Sequence, residues 1–153
     1  MTGLIVKRID KAEAHHVFEL FDRYRIFYKQ TSDIKLAESF ITERLIKNES
    51  VIYVALVNGI PVGFTQLYPR YSSLRAIKNW LLNDLYVDKD YRKQGIGEQL
   101  IKTAMNFAKE NQATFVELST AVDNYTAQSL YEHIGFERQK PETDFYTYRI
   151  GLL

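Results

Sequence analysis

Apolar and polar positions along the chain change period several times, and each change predicts an element. Leu4 to Arg8 form a short branched run that reads as a strand, and Asp10 followed by Glu13 supplies an N-cap and N3 pair for a helix. Val17, Leu20, Phe21, Tyr24 and Tyr28 then recur at spacings of three and four, which places them on one helical face. A second helix is predicted from Asp33 to Lys47, burying Leu36, Phe40, Ile41 and Leu45. The period shortens at Val51–Val57 and Ile60–Leu67, two branched and aromatic runs separated by Asn58-Gly59, a strong short-range hairpin signal. Leu74 to Val87 continue as a third antiparallel strand, reached through a turn over Tyr68 to Ser73.

The helical period returns at Gly95–Lys109, with Ile96, Leu100, Ile101, Ala104, Phe107 and Ala108 inward, and Thr114–Thr120 follow as a strand. Strand, helix, strand implies a right-handed parallel crossover, so the sheet is mixed. Asp123 or Asn124 caps a last helix containing Ala127, Leu130, Tyr131 and Ile134, and Gly135 falls where a left-handed C′ residue belongs. Phe136–Gln139 and Thr143–Ile150 read as closing strands around Pro141. The expected fold class is α/β (α+β-like): one domain over residues 1–153, a mixed, mostly antiparallel sheet of about seven strands flanked by about four helices.

Composition supports one soluble domain, since 153 residues with 46% apolar content can bury one core but not two ordinary ones. A net charge of +1 and the absence of a basic stripe point away from nucleic acid. The opening MTGLIVKRID, broken at Lys7 and Arg8, is neither a signal peptide nor a membrane anchor, which makes a cytoplasmic location the expectation. There is no cysteine, and the three histidines lack ligand spacing, so no metal site is expected.

Candidate chemistry concentrates between Leu85 and Glu98. Gly95 and Gly97 at the mouth of a helix allow a tight turn that presents successive N–H groups, a cradle for a diphosphate, with Arg92 and Lys93 adding positive charge. The dinucleotide fingerprint fails because its third glycine position is Leu100, and the Walker A pattern fails for want of Gly-Lys-Ser/Thr. Taken alone, Gly95-Ile96-Gly97 fits a structural turn equally well.

Arg92-x-x-Gly95-x-Gly97 followed by Asn124-x-x-Ala127-x-x-Leu130-Tyr131-x-x-Ile134-Gly135-Phe136 resembles the GNAT superfamily of acyl-CoA-dependent N-acetyltransferases. The likeness runs from the Asn58-Gly59 hairpin to the end of the chain and is strongest from Leu85 to Phe136. The stretch from Gln66 to Tyr86 looks like a branch loosely grouped as HPA2-type. The resemblance implies acetyl-CoA as co-substrate, its pantetheine arm against Leu85, Tyr86 and Val87, and its diphosphate held by Arg92, Lys93, Gln94, Gly95, Ile96, Gly97 and Glu98. It also implies that Asn124, with Ala127 beside it, contacts the cofactor, and that Tyr131 protonates the departing sulfur.

The implied reaction acetylates a primary amine of a small molecule, a protein lysine or an N-terminus. A lysine-like amine with a pKa near ~10.4 is almost wholly protonated at pH 7, and its neutral form costs about 4–5 kcal/mol there. A base is therefore required. Asp84, beside Asn83 in an otherwise apolar strand, is the candidate amine-binding residue or water-mediated base; its alternative is a structural carboxylate paired with Arg75 or Lys78. Tyr24, Phe27 and Tyr28 lie where the resemblance places the acceptor, or else in the core. A non-catalytic acyl-CoA-binding module is the competing function, and the aromatic tail Phe145-Tyr146-Thr147-Tyr148 is the expected contact of a homodimer.

Overall fold

A computed structural model describes residues 3–153 of the chain, which divides into two compact units meeting at Ser119 and Thr120. The first unit contains β1 (Leu4–Arg8), α1 (Phe18–Phe27), α2 (Ile34–Ile46), β2 (Val51–Val57), β3 (Ile60–Ser72), β4 (Ile77–Val87), α3 (Ile96–Glu110) and β5 (Val116–Glu117). The strands form one sheet in the order β1-β2-β3-β4-β5, antiparallel through β4, with β5 parallel to β4. The mixed α/β class is as expected, with five strands in place of about seven.

Local sequence explains most boundaries. Asp10 accepts from the Ala12 N–H at 2.9 Å, but the turn it caps is a 3-10 helix (Lys11–Val17) that precedes α1. Glu13 pairs with Lys7 of β1, so it does not reach back to the cap. Asn58 and Gly59 have φ of 50° and 81°, the two left-handed residues of a tight hairpin turn. β3 runs on to Ser72, which moves the predicted turn to residues 73–76. Pro69 is tolerated within the strand because β2 pairs only as far as Leu67, leaving β3 with an open side where the missing N–H costs nothing.

The sheet buries both faces. Ile52, Val54 and Phe64 meet Val17, Leu20 and Phe21 from the α1 segment and Ala37 and Ile41 from α2. Leu36 remains 47% exposed, since the small Ala37 lies on the line of closest approach instead. On the opposite face Leu100, Ile101, Ala104 and Ala108 of α3 are buried, and Phe107 meets the edge of Trp80 at 4.9 Å between ring centroids. Gly63 sits under α3 where a Cβ would lie 3.0 Å from the Tyr86 carbonyl oxygen and 3.3 Å from Leu100 Cδ1.

β4 carries a bulge. Gln66 pairs with Asp84, yet Leu67 pairs with Leu82, so Asn83 is an extra residue and the strand's side chains change faces across it. Trp80 and Leu82 point toward α3, whereas Asp84 and Tyr86 point toward α1. β5 joins β4 only at Trp80 and Leu81, ahead of the bulge. The seven-residue strand expected there is therefore two residues long.

The second unit holds α4 (Tyr125–Ile134). Asn124 Oδ1 accepts from the Ala127 N–H at 3.1 Å. At the other end Gly135, with φ 120°, donates to the Glu132 carbonyl at 3.2 Å and Phe136 to the Tyr131 carbonyl at 2.9 Å, closing a Schellman motif. The closing strands expected at Phe136–Gln139 and Thr143–Ile150 are not formed among the described residues. A strand exists only through its ladder, and this segment bonds locally instead, with the Asp144 N–H on Glu142 Oε1 at 2.7 Å and Gln139 Nε2 on the Glu137 carbonyl at 3.0 Å.

Candidate active site

The segment expected to form a cradle joins β4 to α3. Asp88 opens the connection, accepting from the Asp90 N–H at 3.0 Å and donating its own N–H to the Val62 carbonyl at 2.7 Å. Arg23 of α1 bonds the other Asp88 oxygen at 2.7 Å. Lys93 and Gly95 then take φ of 60° and 83°, two left-handed turns that swing the backbone over the helix mouth. The first α3 hydrogen bond runs from Gln99 N–H to the Gly95 carbonyl, so the N–H groups of Ile96 and Gly97 precede the ladder at the positive end of a 15-residue helix. Nothing lies within 4 Å of where a Gly95 Cβ would be, so the approach to the cradle is open. Lys93 and Gln94 are exposed beside it, and Glu98 pairs with Lys102 at 3.3 Å.

Leu85, Tyr86 and Val87 pair with Thr65, Phe64 and Gly63 of β3. On the other side, among the described residues, no strand accompanies β4 beyond Leu81, so its edge runs open toward the cradle. Arg92 does something the spacing did not indicate. Its Nε donates to the Val87 carbonyl at 2.9 Å, and its guanidinium lies over Tyr86 and Phe27 at 5.5 and 5.8 Å from the ring centroids. It braces the end of β4 against α1. Beside this brace an open cleft of about 500 Å³ is lined by Arg23, Ile26, Phe27, Tyr86, Asp88, Lys89 and Asp90.

Asp84 lies deeper, 2% exposed. Gln66 Nε2 donates to its Oδ2 at 2.6 Å and Asn83 Nδ2 to its Oδ1 at 2.7 Å. Ser50 Oγ donates to Gln66 Oε1 at 2.7 Å, which fixes the glutamine amide with its NH2 toward the acid. Burial raises the Asp84 pKa, and the donors from Asn83, Gln66 and Tyr24 pull against that rise. The anticipated pairing with Arg75 or Lys78 is not made: Arg75 faces the Phe115 ring, and Lys78 lies over Trp80 and Tyr71. The bulge turns Asp84 away from that side of the sheet.

Tyr24 bounds the acid toward solvent. Its hydroxyl donates to the Asn83 carbonyl at 3.2 Å, and burial, then the Asp84 charge, push its pKa well above the usual tyrosine range. Its ring packs among Phe21, Tyr28 and Phe64, while Phe27 and Tyr28 are exposed rather than core. Burial and the same carboxylate push Tyr68 up to about 12. Sequence reading singled out Asp84 but missed Gln66, one of two polar residues in an otherwise apolar stretch of β3, and Ser50, which precedes β2 and carried no signal of its own. In the second unit, Tyr131 is half-buried on α4 with its ring at the edge of Phe136, 6.0 Å between centroids, one turn from the capped Asn124 and Ala127 end.

The sequence model of the Acetyltransferase (GNAT) family matches residues 14–136. The chain is 40% identical over 147 residues to a Bacillus subtilis (strain 168) protein named Uncharacterized N-acetyltransferase YhfO, covering 96% of this chain and 97% of that one. A crystal structure titled as that of a probable acetyltransferase superposes with a TM-score of 0.87 at 38% identity, over 96% of this chain and 98% of the other. The fold is shared with the aminoglycoside N-acetyltransferase AAC(6')-Iy solved with CoA, at a TM-score of 0.80 and 17% identity over 96% and 95% of the two chains. No helix of the described residues is long and apolar enough to cross a membrane. The family match over most of the chain, with the full-length relative, shows that this protein is an acyltransferase belonging to the GNAT acetyltransferase family.

Proposed function

We propose that the chain, acting as one domain over residues 1–153, is a cytoplasmic N-acetyltransferase that moves an acetyl group from acetyl-CoA to a primary amine of a small molecule or of a protein lysine or N-terminus. The observation that carries this is the open edge of β4 running from the Asn83 bulge straight into the left-handed turn at Gly95. An open strand edge offers backbone groups at strand spacing to an amide-bearing arm, and a helix mouth offers N–H groups to a diphosphate.

Acetyl-CoA, when bound, supplies the acetyl group already activated as a thioester. Leu85, Tyr86 and Val87 present backbone groups along its arm, and the Ile96 and Gly97 N–H groups, with Lys93, Gln94 and Glu98 around them, receive its phosphates. Arg92, committed to the Val87 carbonyl, shapes this cradle from its side. Asn124 spends Oδ1 on the α4 cap, which leaves Nδ2 as its group for the cofactor, with Ala127 small enough to allow close approach. Tyr131 is the proposed donor to the departing sulfur, on the strength of the Asn124-to-Tyr131 motif, and Asp84 is the proposed base. The exposed Phe145, Tyr146 and Tyr148 are the proposed homodimer contact; a light-scattering mass of twice 17.9 kDa supports it and a mass of 17.9 kDa removes it.

Calorimetric titration with CoA and acetyl-CoA tests the reading, with Gly95→Val as control. Saturable binding that the variant loses, followed by amine-dependent thiol release in a screen of primary amines, is the expected result. Absence of CoA binding by the wild-type protein would refute it.

A further inference from the structure

Asp84 cannot meet an amine directly. At 2% exposure it lies beneath the surface, and two of its lone-pair sites already accept amide N–H groups from Gln66 and Asn83. Those amides favour the carboxylate against a burial that raises its pKa, and Ser50 holds the glutamine so that it can only donate toward the acid. The remaining acceptor capacity faces α1. There the half-buried Tyr24 stands against the exposed Tyr28, with its hydroxyl on the carbonyl of Asn83, the residue next to Asp84, and the Asp84 charge acting on it. The hydroxyl donates to the Asn83 carbonyl at 3.2 Å, long for an O–H···O bond and therefore a weak hold on it.

We propose that the Tyr24 hydroxyl is the relay through which the acceptor ammonium loses its proton to Asp84, an inference that rests on the acetyltransferase reading of this site. The ammonium N–H bond breaks as its proton passes to Tyr24 Oη, and the Tyr24 O–H proton passes to an Asp84 oxygen. Tyrosine remains neutral throughout, the acid becomes neutral, and the amine keeps the lone pair that forms the new C–N bond. Return of the proton along the same path after product leaves restores Asp84. Tyr24 acts as a conduit and not as a base, in keeping with a hydroxyl that resists ionisation in this surrounding. The titratable groups facing the pair are Tyr28 from α1 and Tyr68 from β3, with Arg44 and Glu49 beyond Tyr68.

The test compares wild type with Tyr24→Phe, which keeps the ring among Phe21, Tyr28 and Phe64. A carboxyl-13C NMR titration of Asp84 needs no acceptor: loss of the hydroxyl moves the Asp84 midpoint upward. An unmoved midpoint overturns the proposal. Thiol release from acetyl-CoA is then followed with spermidine, n-butylamine and a lysine-bearing peptide as acceptors, with CoA affinity measured alongside. Tyr24→Phe lowers kcat about 10²-fold with CoA affinity unchanged, and Tyr24→Phe/Asp84→Asn is no slower than Asp84→Asn alone. Equal kcat for wild type and Tyr24→Phe refutes the relay alone, whereas failure of both proteins to bind CoA refutes the enzyme reading and the relay with it.

Discussion

Gly63→Ala is a substitution whose sign reports on how β4 is packed against β3 and α3. Gly63 pairs with Val87, the last residue of β4, and its φ is not in the left-handed region, so alanine is compatible with the backbone. In open surroundings the exchange would stabilise by about 0.4–1 kcal/mol, because it restricts the unfolded chain. Here the added methyl meets the Tyr86 carbonyl oxygen at 3.0 Å, Leu100 Cδ1 at 3.3 Å and Val87 Cγ2 at 3.4 Å. The two side chains can shift by a few tenths of an ångström, but the carbonyl belongs to the ladder and cannot. Overpacking of this kind costs about 1–3 kcal/mol, and offsetting it by the unfolded-state gain leaves a net loss of about 0–2.6 kcal/mol. For a domain of this size the unfolding temperature falls by up to roughly 10 °C. Gly95→Ala is the contrast, with nothing within 4 Å of its Cβ but φ of 83°, so its cost of about 1–2 kcal/mol is purely conformational. Scanning calorimetry on both variants, with CoA titration of each, separates the cases. A Gly63→Ala protein more stable than wild type would refute the close approach of β3, β4 and α3.

Asp22 accepts from Ser32 Oγ at 2.6 Å and the Asp33 N–H at 2.9 Å, and the Ser32 bond above all holds its pKa below the ordinary 3.8. A depressed folded-state pKa gives stability that is complete above the unfolded value and lost as pH falls through the folded one. Asp22→Asn is thus expected to lower stability at pH 7 by about 1–3 kcal/mol, with the gap to wild type narrowing in urea titrations below about pH 4. Arg92→Gln removes the bond to Val87 and the cation over Phe27 and Tyr86, a loss of about 1–2 kcal/mol in urea unfolding; an unchanged midpoint would show Arg92 to be solvated. Asn124→Ala loses the α4 cap at about 1 kcal/mol, whereas Asn124→Asp keeps it. Reduced CoA affinity in both variants marks the Nδ2 donor as the binding group, and reduction in the alanine variant alone marks the cap.

Elements with a local cause were legible before the structure. The Asn58-Gly59 hairpin, the α3 stripe, the Asn124 cap and the Gly135 Schellman end each depend on a few neighbouring residues, and each stands where the pattern put it. What depends on a distant partner was not. The closing strands were read from branched and aromatic content alone, which describes a surface suited to a ladder without supplying one. The extension of β3 through Pro69 depends on where β2 ends, and the length of β5 on where β4 bulges. In the site, a tight turn at the helix mouth was read from Gly95-Ile96-Gly97, but its left-handed form at Lys93 and Gly95 and the tie from Arg92 back to Val87 and across to Phe27 required the fold.

The extra residue at Asn83 explains why the acid was visible in the sequence while its surroundings were not. In a regular strand Leu82 and Asp84 share a face, which would set the carboxylate among the apolar residues of α3 with no donor at hand. The bulge reverses the alternation, so Leu82 keeps its place against α3 while Asp84 turns beneath α1 to meet Gln66, and Asn83 contributes its own amide. The same irregularity follows the point where β5 parts from β4, beyond which the strand edge is open toward Gly95. One inserted residue thus places the acid on the α1 side, just past the point where, among the described residues, β5 stops pairing with β4. An apolar replacement for Asp84 would suit the burial but would strand the Gln66 and Asn83 amides, each at a cost of about 1–3 kcal/mol. A buried carboxylate at this bulge is therefore held by the amides around it and not by apolar packing.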